Sequence, residues 1–551
     1  MNPTRGDDLP QPWLSTYAGD TAARFAPRYR DALSLFEDAV ARAGEAPAIK
    51  YFDASLSYSD LDRISDRFAH WLIAAGIEAG DRVALFMQSI PQFVICLVGA
   101  WKAGMIAVTV NPMSRPRELR LLLQDSDARV LVTQRDLHRD VACQVLHEFP
   151  GVRAVTTSPR DLQWRTDARI FTATDLPADP GIPDLMSLLV EGDGAVASRP
   201  RIDSATPAMI VYTSGTTGVP KGAVVSHGGL AFEADLWRAW VGLEDGAPVL
   251  GIAPLFHITG IGGHIALAFA AAAPLILTMR FHPDVISEAA FEHQAAFAVG
   301  AITAFIAIMN SPQVQPRQLR TLRHVFSGGA PVPTAVAREF ARKFDLEIHN
   351  CYGLTESTSL AVAVPCGCRT PTDANGALSI GVPVFATDAY VAGDAGQRVS
   401  HGQVGEIMLR GPQIVSGYWQ RPRETDEALL HGYLRTGDVG CMDEAGWLYL
   451  VDRKKDLIIA SGYKVWPKEV EDVLYMHPAI REAAVVGAPD SYRGETVKAV
   501  ISLKPGQTLN EDELVDFCNQ HLAAYKRPRL IKVVPELPKT LTGKILRREL
   551  R

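Results

Sequence analysis

Tyr212-Thr213-Ser214-Gly215-Thr216-Thr217-Gly218-Val219-Pro220-Lys221-Gly222 sets four Ser/Thr hydroxyls, three glycines, a proline and a lysine between two apolar runs. Ala208-Met209-Ile210-Val211 precedes it and Ala223-Val224-Val225 follows it. Apolar runs bounded by turn residues read as buried strands, so the polar stretch is a loop carried on sheet. Glycines let such a loop turn freely and bring its N–H groups close to a ligand. Consecutive amides and hydroxyls then form a concave anion site, with Lys221 as a point charge. A polyphosphate suits it. The spacing from Gly215, G-T-T-G-V-P-K-G, is not that of a Walker A loop.

Outward from this loop, apolar runs alternate with helical patterns. Arg82–Met87, Ile106–Val110 and Ala128–Val132 read as strands and Pro91–Ala103 as a helix, which predicts an α/β fold with parallel sheet and crossover helices. After about residue 376 short strands such as Gly405–Arg410 between glycine-rich turns predict a smaller β subdomain. Asp452-Arg453-Lys454-Lys455-Asp456 is a charged break, and beyond it a compact α+β unit is expected, with helix Pro467–Met476 and strand Ala483–Gly487. The boundary falls there: residues 1–454 form one domain and 455–551 another.

The chain has 551 residues, too many for one ordinary core, and a hydrophobic content of 47% with 21% charged residues, as in soluble globular proteins. A net charge of −7 gives no support for a nucleic-acid partner. Seven cysteines, odd in number and without a C-x-x-C pair, argue against a disulfide framework or zinc site and for a reducing compartment. The segment Met1–Trp13 carries acidic residues and prolines where a signal peptide would be apolar, so the expected location is cytoplasmic. Pro248–Leu277 is long and apolar enough to span a bilayer, but Pro254, Gly260, Gly262, Gly263 and Pro274 divide it into strand, loop, buried helix and strand.

The loop has companions. Asn350-Cys351-Tyr352-Gly353-Leu354-Thr355-Glu356, Tyr433-Leu434-Arg435-Thr436-Gly437-Asp438, Asp452-Arg453-Lys454-Lys455-Asp456 and Pro538-Lys539-Thr540-Leu541-Thr542-Gly543-Lys544 follow it in order. Together the five resemble the motifs of the adenylate-forming superfamily, which includes acyl-CoA synthetases, aryl-CoA ligases, luciferase and peptide-synthetase adenylation domains. The resemblance covers essentially the whole chain. It implies a large N-terminal domain of two α/β/α layered subdomains plus a β-barrel-like subdomain, carrying a small mobile α+β C-terminal domain. It also implies a two-step reaction: a carboxylate attacks the α-phosphate of ATP to give acyl-AMP and pyrophosphate, and coenzyme A then displaces AMP.

By this resemblance Thr213, Ser214, Gly215, Thr216, Thr217, Gly218 and Lys221 hold the β and γ phosphates. Glu356 ligates Mg²⁺ and Thr355 meets the α-phosphate. Asn350, Cys351, Tyr352 and Gly353, with Gly329, Ala330 and Pro331, surround the nucleotide. Asp438 and Arg453 meet the ribose. Lys544 bridges carboxylate and α-phosphate. Lys455 is the hinge whose rotation withdraws Lys544 and presents Ser461, Gly462, Tyr463 and Lys464 to coenzyme A. Pro254-Leu255-Phe256-His257 resembles the acyl-site motif, so His257, Thr259, Gly263, Gly328 and Gly329 are expected to line an acyl pocket with small residues. The Phe256–Ile261 stretch has no acid to hold an ammonium, which weighs against amino-acid activation. The expected activity is an AMP-forming fatty-acyl-CoA synthetase using ATP, Mg²⁺ and CoA. An aryl-, short- or branched-acid CoA ligase is the alternative, and a non-catalytic acyl-nucleotide binding protein is the alternative of another class. Peripheral membrane contact and a homodimer stay open.

Overall fold

The computed structural model describes residues 11–17, 25–172, 174–191, 200–213, 220–374, 376–393, 396–453, 456–460, 463–490, 494–540 and 543–551.

Two sheets dominate the N-terminal domain. A six-stranded sheet runs in the order Arg153–Thr157, Ala128–Gln134, Arg82–Phe86, Ile106–Val110, Pro207–Thr213, Lys221–Ser226. Its first five strands are mutually parallel, and only the last pair is antiparallel. The expected strand runs therefore stand where they were read, and the strands on either side of the glycine-hydroxyl stretch, Pro207–Thr213 and Lys221–Ser226, pair as an antiparallel hairpin at the sheet edge. A nine-stranded sheet has Ile348–Tyr352, His324–Ser327, Phe297–Gly300, Val249–Leu250, Leu275–Leu277 and Pro47–Tyr51 parallel at its centre, with antiparallel strands at both edges.

Helix Pro91–Lys102 is buried on every face, with proline at its first turn where no N–H is needed. Its Lys102 is fully buried, and the ammonium lies 2.6 Å from Asp62 and 2.9 Å from Asp66 of helix Tyr58–Ala74. Two carboxylates are what a buried ammonium needs to offset lost hydration. Pro248–Leu277 folds as anticipated, into strand, loop, short buried helices and strand. Among the described residues no helix is long and apolar enough to cross a membrane.

Asp388–Ala392, Gly405–Arg410, Tyr433–Met442, Leu429–Leu430 and Leu448–Arg453 form a five-stranded antiparallel sheet, the β subdomain. The small C-terminal domain is α+β: strands Ile480–Asp490 and Gly494–Leu503 pair over their length, and Ile458–Ala460, Tyr463–Val465 and Leu530–Val533 complete the sheet. Helices Pro467–Met476 and Glu511–His521 cover a core of Ile458, Val465, Leu474, Ile501 and Leu514. The break read as the domain boundary, Lys454-Lys455, lies outside the described residues.

Candidate active site

The hairpin positions the first groups. Thr213 pairs with Lys221 across it. A Cβ on Gly222 would come within 2.6 Å of Ile210 and 3.2 Å of the Tyr212 ring, so glycine is required for the strands to close here. Ser214, Gly215, Thr216, Thr217 and Gly218 lie outside the described residues. The Lys221 ammonium sits over the Tyr418 ring, 5.2 Å from its centroid. The Tyr418 hydroxyl donates to Glu356 Oε1 at 2.7 Å. Lys221 and Glu356 are thus gathered around one aromatic side chain.

A small cavity, partly open to solvent, lies at the C-terminal ends of strands His324–Ser327 and Ile348–Tyr352, the usual place for a ligand in a parallel sheet. The strand ends contribute Gly328, Gly329, Cys351, Tyr352 and Gly353. His257 and Thr259 come from the Pro254–Gly260 turn, Thr355 from the segment after Gly353, and Lys544 from the C-terminal domain. So four of the five expected acyl-pocket positions, His257, Thr259, Gly328 and Gly329, share one cavity with the expected catalytic positions Thr355 and Lys544; Gly263 and Glu356 do not line it. A Cβ on Gly263 would meet Val299 at 2.9 Å and the Trp237 indole at 3.7 Å, which puts Gly263 behind the wall.

Lys544 is delivered by a tight loop. Lys539 bridges to Ile545, the Thr540 N–H donates to the Lys544 carbonyl at 2.8 Å, and the Lys544 N–H donates to Thr540 Oγ1 at 3.1 Å. Gly543 has φ +80°, and its carbonyl accepts from Thr303 Oγ1 at 2.8 Å. Opposite, Gly329 has φ +78°, and a Cβ on it would stand 2.7 Å from Lys544 Cε. Glycine at 329 therefore makes room for the lysine.

His257 caps the turn that follows it: its Nδ1 accepts the Thr259 N–H at 3.3 Å. Burial, and secondly the Lys544 ammonium, push its pKa down to about 3. The imidazole is therefore neutral, with its proton on Nε2. Burial, and then Glu233, hold the Cys351 thiol protonated, so it is no nucleophile.

Among the residues expected at the nucleotide, the Tyr352 hydroxyl donates to Asp438 Oδ2 at 2.8 Å, and both residues are buried. Arg453 is the strand neighbour of Asp438. Gly353 packs so closely beneath Ser359 that a Cβ would lie 1.5 Å from the Ser359 carbonyl oxygen, and Ser359 itself holds φ +112°. Strain of this kind persists where the surroundings over-determine a functional turn. Asn350 does not reach the cavity; its amide donates to the Ser379 carbonyl at 2.8 Å. Ala330 and Pro331 follow Gly329 without lining the cavity. Tyr463 is exposed and stacks on Tyr525, with ring centroids 4.9 Å apart. Lys464 is placed in a strand beside it. Lys455, Ser461 and Gly462 lie outside the described residues.

Sequence reading missed Trp237, Ser359, Leu360, Thr303 and Tyr418. Trp237 lines the cavity from the middle of helix His227–Val241, where an aromatic reads as core. Tyr418 had one signal, an aromatic pair after glycine in Gly417-Tyr418-Trp419.

The family model described as AMP-binding enzyme matches residues 36–419, and the one described as AMP-binding enzyme C-terminal domain matches residues 469–544. A long-chain-fatty-acid–CoA ligase of Bacillus subtilis (strain 168) is 33% identical over 552 residues, covering 98% of this chain and 97% of that protein. One of Escherichia coli O157:H7 is 35% identical over 561 residues, with the same shares. The crystal structure of the anthranilate CoA ligase AuaEII in complex with anthranoyl-AMP superposes with a TM-score of 0.86 at 25% identity, over 96% of this chain and 98% of that one. The chain therefore belongs to the AMP-binding enzyme family, within the adenylate-forming superfamily that its five motifs resemble.

Proposed function

We propose that the protein activates a medium- or long-chain fatty acid to acyl-AMP and transfers the acyl group to coenzyme A, releasing pyrophosphate and AMP. One observation carries the reading: Lys544 of the C-terminal domain shares a cavity with His257 and with the Tyr352–Thr355 segment of the N-terminal domain.

In the first step a carboxylate oxygen bonds to the α-phosphorus and the bond to the bridging oxygen breaks, so pyrophosphate leaves. Two anions must meet, and positioned positive charge is the main means of catalysis. Lys544 neutralises the carboxylate and the α-phosphate together. His257 Nε2–H donates to the carboxylate; a neutral imidazole with so low a pKa orients the acid rather than taking a proton from it. Thr355 meets the α-phosphate, Lys221 the β and γ phosphates, and Asp438, aligned by Tyr352, the ribose hydroxyls. In the second step, rotation about Lys455 withdraws Lys544 and brings Ser461, Gly462, Tyr463 and Lys464 to the pantetheine arm. The coenzyme A sulfur then bonds to the acyl carbon as AMP departs.

Magnesium belongs to this proposal. Among the described residues no three His, Cys, Asp or Glu gather into a metal site. A single carboxylate, Glu356, beside Lys221 fits a hard cation that takes its other oxygens from phosphates and water. Bound there, the cation would offset phosphate charge. A cytoplasmic site of action completes the reading.

The substrate class follows the curated relatives, both named as long-chain-fatty-acid–CoA ligases. One feature favours an aromatic acid instead. The Trp237 indole, locked edge-on between Phe297 and Phe326 at centroid distances of 5.5 and 5.7 Å, gives the cavity a rigid flat wall, and the superposed AuaEII is an anthranilate CoA ligase. Pyrophosphate release measured over fatty, aromatic and branched acids, with and without CoA, decides. Turnover with C8–C18 acids is expected; turnover confined to aromatic acids selects the second reading, and none with any acid refutes both.

A further inference from the structure

The segment 415–421 of the β subdomain touches both ends of the phosphate machinery. The Val415 N–H donates to the Glu356 carbonyl at 2.9 Å. The Trp419 N–H donates to the Gly222 carbonyl at 2.7 Å, the Val224 N–H to the Gly417 carbonyl at 3.0 Å, and Tyr418 forms an antiparallel bridge with Ala223. Arg421 pairs with Asp125 at 2.6 Å, and Asp125 also accepts from the Tyr212 hydroxyl at 2.8 Å. The backbone of Tyr418 is therefore pinned to the hairpin on one side and to the Glu356 turn on the other. Its N–H donates to Thr425 Oγ1 at 2.9 Å, which removes the remaining freedom. From that fixed base the ring lies under the Lys221 ammonium at 5.2 Å, and the hydroxyl reaches Glu356 Oε1 at 2.7 Å.

We propose that Tyr418 is a positioning residue that couples the metal site to the phosphate loop: its hydroxyl orients the Glu356 carboxylate for the cation, while its ring steers the Lys221 ammonium toward the same phosphates. This rests on the assignment of Glu356 to magnesium in the proposed function. A carboxylate that accepts one hydrogen bond on Oε1 keeps Oε2 for a metal and loses the rotation that would scatter it. The ring face holds a cation without neutralising it, so Lys221 keeps its full charge for phosphate.

The test is calorimetric titration of the full chain with ATP, in Mg²⁺ and in EDTA, with no acid or CoA. Tyr418→Phe removes only the hydroxyl. It should weaken ATP binding about tenfold or more in Mg²⁺, the loss of a hydrogen bond to a charged group, and leave the affinity in EDTA within about twofold. Tyr418→Leu also removes the ring and should weaken both. Equal weakening of Tyr418→Phe in the two media marks a merely structural contact and overturns the proposal, as does no change in either or tighter binding in Mg²⁺. If Tyr418→Leu does not fold, Tyr418→Phe decides alone. Turnover of the wild type in the acid panel is read separately, so failure of the coupling and failure of the proposed reaction cannot be confused.

Discussion

Thr303 and Gly543 stand 240 positions apart, and the threonine hydroxyl donates to the glycine carbonyl at 2.8 Å. This bond seats the terminal loop on the first turn of helix Ile302–Asn310. Thr303→Val keeps the shape and removes the donor. The rate of acyl-AMP formation should fall about five- to tenfold, one hydrogen bond's worth, while thioester formation from supplied acyl-AMP stays near wild type. Single-turnover pyrophosphate release and CoA acylation measure the two; a parallel fall in both would show that the contact serves folding alone.

Lys544→Ala tests the group that this seat delivers. Adenylation should drop by about a hundredfold or more, as when one preorganised donor is removed from a charged transition state. The thioester half, started from acyl-AMP, should survive.

Gly329 was expected to widen the acyl pocket, yet its missing Cβ faces Lys544 Cε at 2.7 Å. Gly329→Ala should therefore slow adenylation of short and long acids alike, with kcat reduced and the preferred chain length unchanged. A shift in chain-length preference, read from kcat/KM over C4–C18 acids, would return Gly329 to the acyl wall.

Gly353→Ala forces a methyl to 1.5 Å from the Ser359 carbonyl. The turn must open, at a cost of about 2–4 kcal/mol, and ATP binding should weaken with it. Urea unfolding and ATP calorimetry on the variant check both; a fold as stable as wild type would mean that the turn adapts freely.

His264 is fully buried; its Nε2 accepts the Ala253 N–H at 3.0 Å, and burial lowers its pKa from 6.5 to about 4. Above pH 6.5 the ring is neutral folded or unfolded, and its contribution is fully present. Below that, the unfolded chain takes up a proton that the folded chain refuses, so stability is lost as pH falls toward 4. Between pH 7 and 5 the loss from this residue should be about 2 kcal/mol. His264→Gln keeps an acceptor and does not titrate, so its unfolding free energy should vary less with pH by that amount. An identical pH profile in urea melts would exclude the histidine as a source.

Local signals read well from the chain alone. The strand expected over Arg82–Met87 spans Arg82–Phe86, and the helix expected over Pro91–Ala103 spans Pro91–Lys102. Proline, glycine and unbroken apolar runs act within a few residues, and periodicity records them. The cavity residues His257, Tyr352, Thr355 and Lys544 were legible because motif spacing carries them. The contacts that aim them were not. Tyr418 is 62 positions from Glu356, and Thr303 is 240 from Gly543. No period links such pairs; only the packing of distant elements brings them together. Gly263 lies behind the cavity wall for a related reason: a small residue beside a motif looks like pocket lining, but Val299, from a distant strand, occupies the space.

The backbone of Lys544 is tied down by the Thr540–Lys544 pair of bonds and the Lys539–Ile545 bridge. In the proposed rotation about Lys455, the Lys544 backbone would leave the cavity as cargo of the whole small domain. A ligand that wedges that domain in place would strand the enzyme between its two half-reactions, with every side chain still intact.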